Sequence, residues 1–161
     1  MKDIKKRTIS FGIIADCQYA DENDESYRIP AEVPLVYNCS YRQVPRRLEE
    51  AIRLFNTEAL DFVVHLGDFV DRRIEEFFTL DDITQLSNTP FWHVIGNHEY
   101  KDKSNPIEKV VSLYRMPGRY YTKELYNYKF IIVDSNEEGV IAHREGSKEW
   151  VNGAKLIASM E

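Results

Sequence analysis

Four short apolar runs in this chain each end on a cluster of metal-type or polar residues. Ile9 to Ala15 leads into Asp16-Cys17-Gln18, and Phe62 to Leu66 into Gly67-Asp68-Phe69-Val70-Asp71. Phe91 to Ile95 leads into Gly96-Asn97-His98-Glu99, and Phe130 to Val133 into Asp134-Ser135-Asn136. Buried strands do not need carboxylates and amides at their ends. A site at the carboxyl edge of a sheet does, because side chains from separate strands converge there.

The segments between these runs supply the rest of an α/β fold. Thr8 to Ala15, Asp61 to Leu66 and Phe91 to Ile95 read as buried strands, rich in β-branched and large apolar residues. Gln43 to Ala59 reads as a helix, because Leu48, Ala51, Ile52 and Phe55 recur at helical spacing. Arg72 to Ser87 reads as mostly helical with a break near Thr79-Leu80, and Pro90 blocks further helix. A short helix is expected over Pro106 to Leu113. Strands are expected over Arg119 to Leu125 and Tyr128 to Val133, turning near Tyr126-Asn127. Ser147 is placed to cap a last helix with Trp150, Ala154, Ile157 and Ala158 on one face. Strands alternating with helices give a layered α/β architecture. Tyr19 to Ser40 is polar, contains proline and lacks periodicity, the mark of a long functional or mobile loop.

Composition narrows the function. A length of 161 residues suits one domain, and 43% hydrophobic with 30% charged residues suits a globular, soluble one. The net charge of −6 argues against a general nucleic-acid surface. The basic group Lys2, Lys5, Lys6 and Arg7 reads as a solvated lead-in to the first strand. No apolar stretch approaches the ~20 residues of a membrane span, and the N-terminal run lacks the small-residue cleavage site of a signal peptide. Cys17 and Cys39 have neither metal-type spacing nor a disulfide framework, so a cytoplasmic location is expected.

The clusters themselves carry the chemistry. Asp16 and Gln18 lie two apart; in an extended segment both would face one way and present a carboxylate and an amide oxygen to one cation. Taken alone, the pair is a weak signal, and a turn cap is the more ordinary reading of it. In Gly67-Asp68-x-x-Asp71, Gly67 lets the backbone pass close to an ion, Asp68 marks the strand end, and Asp71 is placed to orient a metal ligand by hydrogen bonding. Its plainer reading is a strand-end glycine and a helix cap. Asn97 offers an amide oxygen, and His98 is able to donate to a phosphate or protonate a leaving group. The order of all three, each after an apolar run, favours a metal site over three unrelated turns. His65 and His93 fall inside strands and read as packed strand residues, and His143 reads as a loop residue.

These motifs resemble those of the calcineurin-like metallophosphoesterases: Asp-x-His/Gln, Gly-Asp-x-x-Asp and Gly-Asn-His-Asp/Glu on an α/β/β/α sandwich. Phe11 to Asp21, and Arg119-Tyr120-Tyr121 ahead of Phe130 to Asp134, are similar to the manganese-dependent ADP-ribose/CDP-alcohol diphosphatase branch. The resemblance implies Asp16 and Gln18 on a first metal, Asp68 bridging, Asn97 on a second, His98 facing phosphate and Asp71 orienting a neighbour. It implies hydrolysis of a phosphoester or diphosphate of a small molecule by metal-activated water, with nucleotide-linked ADP-ribose/CDP-alcohol-type substrates among the candidates. Oxygen donors favour two hard divalent ions, Mn²⁺ first, with Mg²⁺, Fe or Zn as other occupants. Tyr19, Asp21, Tyr41, Arg42, Arg119 and Tyr120 are candidates for lining a substrate pocket.

The family pattern continues with a lone His and then Gly-His-x-His, and neither follows here. The chain is therefore expected to be the N-terminal portion, residues 1–161, of a metallophosphoesterase domain. It is expected to form a partial sandwich without the C-terminal strands, to hold the second metal poorly, to turn over little, and to self-associate through exposed sheet surface. Three other readings stand beside this one: a cyclic-nucleotide phosphodiesterase or protein phosphatase on the same fold, a non-catalytic phosphoesterase-like interaction module, and a plain α/β binding domain with acidic strand caps.

Overall fold

The structure, a computed structural model, describes residues 7–21, 41–102, 104–140, 142–143 and 145–160. Most of the Tyr19 to Ser40 segment expected to form a loop, together with Lys2, Lys5, Lys6, Cys39 and the side chain of Arg42, lies outside the described residues.

A parallel sheet carries the fold. Its strands β1 (Phe11–Ile14), β2 (Phe62–His65) and β3 (Phe91–His93) lie side by side in chain order. Helix α1 (Val44–Phe55) connects the first two, and α2 (Phe77–Thr84) the second and third. Each return runs through a helix because parallel neighbours need a crossover. Pro45 near the start of α1 sets a helical φ where its missing N–H costs nothing. A second, two-stranded sheet is the antiparallel hairpin β4 (Tyr121–Leu125) and β5 (Tyr128–Ile132), turned at Tyr126. Helices α3 (Ile107–Leu113) and α4 (Lys148–Ser159) complete the order among the described residues.

The core lies between the helices and one face of the parallel sheet. Leu48 and Ile52 of α1 meet Phe69, Val70, Ile74, Phe77 and Leu80 there. Burial of such side chains is worth about 1.5–3 kcal/mol each. Gly12 of β1 faces α1 so closely that an added Cβ would sit 2.9 Å from the Phe55 ring. The opposite sheet face carries an aromatic row. Phe62 stacks on Trp92 at 3.7 Å and on Phe11 at 4.9 Å, and Phe130 of β5 meets Phe62 edge-on at 5.1 Å.

Several expectations need correction. β1 is not buried on both faces, since Phe11 is 42% and Ile13 53% exposed on the aromatic side. The helical break falls before Phe77, where a 3-10 turn (Ile74–Glu76) precedes α2, and not at Thr79-Leu80. Leu80 is fully buried inside a continuous helix, and packing there overrides the break. Ser147 does cap α4, accepting from Trp150 N–H at 3.2 Å. The apolar face expected on α4 is not covered, however: Ile157 is exposed and Gly153 is the buried position.

His65 and His93 are packed strand residues on the helix side of the sheet. Gly67 N–H donates to His65 Nδ1 at 3.2 Å, while His65 Nε2 and His93 Nδ1 find no partner among the described residues. Burial holds both imidazoles neutral, pushing His65 well below its usual value and His93 down to about 4. An unfolded histidine binds a proton near pH 6.5, so the unfolded state binds more protons between that pH and the folded value. Stability should therefore fall on acidification from pH 6.5 to 4, by about 3 kcal/mol for His93 alone. His98, whose pKa is raised, works the opposite way, losing its contribution as pH climbs above 6.5. Urea midpoints at pH 7, 6 and 5 should drop steadily in the wild type and less in His93→Gln.

Candidate metal centre

The ligand loops leave three adjacent parallel strands at the same sheet edge, and backbone bonds lace them together. Asp16 N–H donates to Gly67 O at 3.2 Å, Gln18 N–H to Asp68 O at 2.7 Å and Val94 N–H to His65 O at 2.8 Å. Tyr19 then bridges to Val70 in parallel fashion, so the β1–β2 pairing resumes past the site.

Asp16 and Gln18 do not share a face by strand alternation. β1 ends at Ile14, and both residues take left-handed backbone, φ 53° and 46°. Asp68 does the same at φ 58°. Such conformations are sparsely populated by non-glycine residues and cost of order 1–3 kcal/mol each. Three of the four predicted ligands thus sit on strained backbone, a pattern that marks functional loops.

Two glycines let the loops close. A Cβ on Gly67 (φ 105°) would lie 2.5 Å from Gly96 N, and one on Gly96 would overlap Asp68 Oδ1. With that space open, Asp68 stands at the centre. Its Oδ1 accepts from His98 N–H at 2.8 Å. Its Oδ2 has the Gln18 amide at 3.4 Å and His98 Nε2 at 3.9 Å. Asp16, Asp68 and Asn97 line one cleft of about 290 Å³ with Gly67, Gly96 and Asn136. On its other side Asp16 borders a second cleft of about 350 Å³ with Gln18, Tyr41 and Arg47.

Glu99 holds this arrangement and was not singled out by the sequence. Its buried carboxylate accepts from Asp68 N–H (3.0 Å), Phe69 N–H (2.7 Å) and Gly96 N–H (2.8 Å), and from the Tyr114 hydroxyl (3.0 Å). It clasps the loop after β2 to the loop after β3. Burial raises its pKa, and the backbone donors partly offset that rise. The available cue was an acid beside two ligand-type residues directly after a strand.

Asp71 orients His98 and not a metal ligand: its Oδ1 lies 2.7 Å from His98 Nδ1. Burial pushes the Asp71 carboxyl up, but the His98 hydrogen bond and the Lys101 and Arg72 cations hold it below its usual value. For His98, burial opposes charge while Asp71 and Asp68 favour it, leaving the pKa raised. Nε2 is thereby left on the Asp68 side.

The pocket candidates fare unevenly. Tyr41 lines the cleft beside Asp16, and Tyr19 packs against the core. Arg119 is committed elsewhere, its Nε donating to Asp134 at 2.9 Å and its Nη1 lying 3.7 Å from Glu137. The Tyr120 hydroxyl donates to the Glu137 carboxylate, with Asp134 O also near at 3.2 Å. Asp134 is a buried hub for Tyr100, Arg119 and Asn136, and Asn136 reaches Ile95 O at 3.3 Å. The fourth strand-end cluster therefore fastens β5 to the exit of β3. His143 lies in a loop, its Nε2 2.6 Å from Glu137 O.

The donors fit a hard cation. They are two carboxylates and two amides, and Asp68 is a buried anion whose Oδ2 is weakly bonded. Among the described residues no three His, Cys, Asp or Glu side chains gather as a metal site. Any ion here would rely on the amide oxygens.

A family profile for calcineurin-like phosphoesterases matches residues 9–157. A manganese-dependent ADP-ribose/CDP-alcohol diphosphatase of Arabidopsis thaliana is 29% identical over 160 residues, covering 92% of this chain and 49% of that protein. One of the same name from Danio rerio is 26% identical, covering 92% and 51%. A crystal structure of a dimetal phosphatase from Danio rerio superposes with a TM-score of 0.69 at 23% identity, over 94% of this chain and 52% of that one. The chain spans about half the length of the curated relatives it matches. With the motifs in place at one sheet edge and the profile running through nearly the whole sequence, this chain belongs to the calcineurin-like phosphoesterase family.

Proposed function

We propose that this chain carries one side of a two-metal phosphohydrolase site acting on small phosphorylated molecules of the nucleoside-diphosphate-linked kind. The observation that carries the reading is Asp68, a buried carboxylate reached by Gln18 and His98 and sharing a cleft with Asp16 and Asn97. Asp16 and Gln18 would hold a first ion, Asp68 both, and Asn97 a second. When bound, Mn²⁺ or a similar ion supplies neutralisation of phosphate charge and a water of lowered pKa. The protein's own part is positional. His98, held by Asp71, presents Nε2 toward a phosphate oxygen, and Glu99 keeps Asp68 and Gly96 in register. The names of the relatives support a diphosphate substrate. A cytoplasmic setting belongs to the same proposal; burial pushes the Cys17 thiol up to about 12, which suits a structural, unreactive cysteine.

Saturating Mn²⁺ should raise the melting temperature by roughly 5–10 °C at a hundredfold excess over Kd. Asp68→Asn should abolish that rise. An unchanged melt in the wild type would reject the metal reading. Four oxygen donors cannot fill two hard coordination spheres, so hydrolysis of ADP-ribose by these residues alone should be slow. A panel of ADP-ribose, a cyclic nucleotide and a phosphopeptide separates the reaction classes.

Self-association is part of the proposal. Phe11, Leu66, Ile131 and Val133 border an apolar groove of about 310 Å³, and Ile131 is 70% exposed. A surface of this kind favours pairing with a second copy. Light scattering should show mass rising with concentration, and Ile131→Lys should keep the chain monomeric.

A further inference from the structure

Lys101 follows the His98-Glu99-Tyr100 turn, and no family motif includes it. Its Nζ lies 2.9 Å from both His98 Nδ1 and His98 Nε2, and 3.5 Å from Asp71 Oδ1. An ammonium equidistant from the two ring nitrogens cannot lie in the ring plane without overlapping Cε1. It therefore sits over the ring face, out of line with either in-plane lone pair. His98 Nδ1 is in any case engaged by Asp71 at 2.7 Å. The Lys101 ammonium thus has a long ion pair with Asp71 and no well-aligned acceptor in the ring. Its side chain is 36% exposed, so the flexible stem is free to move the charge.

The surrounding charge makes that cation conspicuous. Asp16, Asp68 and Asp71 all lie at this sheet edge, in a chain of net charge −6. Nearby arginines are engaged: Arg119 with Asp134, and Arg72 with Asp71 at 3.1 Å. His98 stands between Lys101 and the Asp68 carboxylate. A phosphoryl group seated at Asp68 would reach His98 first, and a second phosphate linked to it would extend toward Lys101. Lysine suits that place as a compact point charge with several donors.

We infer that Lys101 binds the phosphate that is not attacked, so that it selects linked diphosphates over monophosphates at this site. The inference rests on the proposed metal reading. The test compares AMP with α,β-methylene-ADP on the whole chain at fixed, saturating Mg²⁺, by calorimetry. Lys101→Ala should weaken the diphosphate analogue about tenfold or more, the worth of one charge-assisted bond. It should leave AMP within about twofold and the Mn²⁺ melting shift unaltered. Lys101→Arg should restore much of the loss. Equal weakening of both ligands, no weakening of either, or a wild type that does not bind the diphosphate analogue would overturn the inference while the metal reading stood. A wild type without any Mn²⁺ stabilisation overturns the metal reading, and this inference falls with it.

Discussion

Replacing Glu99 by alanine should leave the chain without a cooperative unfolding transition. Its carboxylate is the acceptor for three backbone N–H groups and the Tyr114 hydroxyl, three of these bonds buried and the Gly96 one half-buried. Each donor left unsatisfied costs about 1–3 kcal/mol. The total is comparable with the ~5–15 kcal/mol that stabilises an ordinary domain. Glu99→Gln is the informative partner. It keeps the shape and one acceptor oxygen, but turns an NH₂ toward backbone donors. A loss of about 2–4 kcal/mol with a cooperative melt is expected for it. Urea titrations followed by circular dichroism would measure both. If Glu99→Ala melted within about 1 kcal/mol of wild type, the carboxylate would not be the clasp described above.

Gly96→Ala should remove metal binding altogether and cost about 2–4 kcal/mol of stability. The new methyl group would overlap the Asp68 carboxylate and lie 2.9 Å from its Cγ. The rigid partner is backbone: Asp68 N is also in the way, and Glu99 ties that nitrogen down. Relief therefore requires the two loops to part, which moves Asp68 away from Asp16 and Asn97. Gly146→Ala is the matched control. Gly146 also has a left-handed φ, 80°, but an added Cβ there meets nothing within 4 Å. It should cost only about 1–2 kcal/mol and leave the Mn²⁺ melting shift intact. Retained Mn²⁺ stabilisation in a folded Gly96→Ala protein would contradict the close approach of the two loops.

Much of this molecule was legible from residue order. β2 and β3 fall within the runs that predicted them, α1 buries Leu48 and Ile52 as its spacing required, and the β4–β5 turn falls at Tyr126. These features depend on local pattern, which a linear reading captures. The conformation of the ligand loops was not legible. Nothing in Asp16-Cys17-Gln18 announces two left-handed residues; they arise because Gly67 O and Asp68 O draw the loop's N–H groups across from the next strand. The convergence of Asp16 and Gln18 was therefore expected for a reason the backbone does not follow. Glu99 shows the same limit, since its four donors come from three separate segments. The exposure of Phe11 and Ile13 likewise depends on what lies over the sheet, which their own sequence does not specify.

The ladder of the parallel sheet has one more consequence. Ile14, His65 and His93 stand on a single rung. From that rung, Asp16 and Gln18 are two and four residues on, Asp68 three and Asn97 four. The site is thus counted out in chain length from a common origin. Consecutive Cα atoms lie about 3.8 Å apart along any trans backbone. One residue gained or lost between rung and ligand would shift a donor by more than a metal–oxygen bond of about 2–2.6 Å. Such a chain should accept exchanges of side chain along these segments far more readily than insertions or deletions, because spacing, more than identity, is what the strands transmit to their ends.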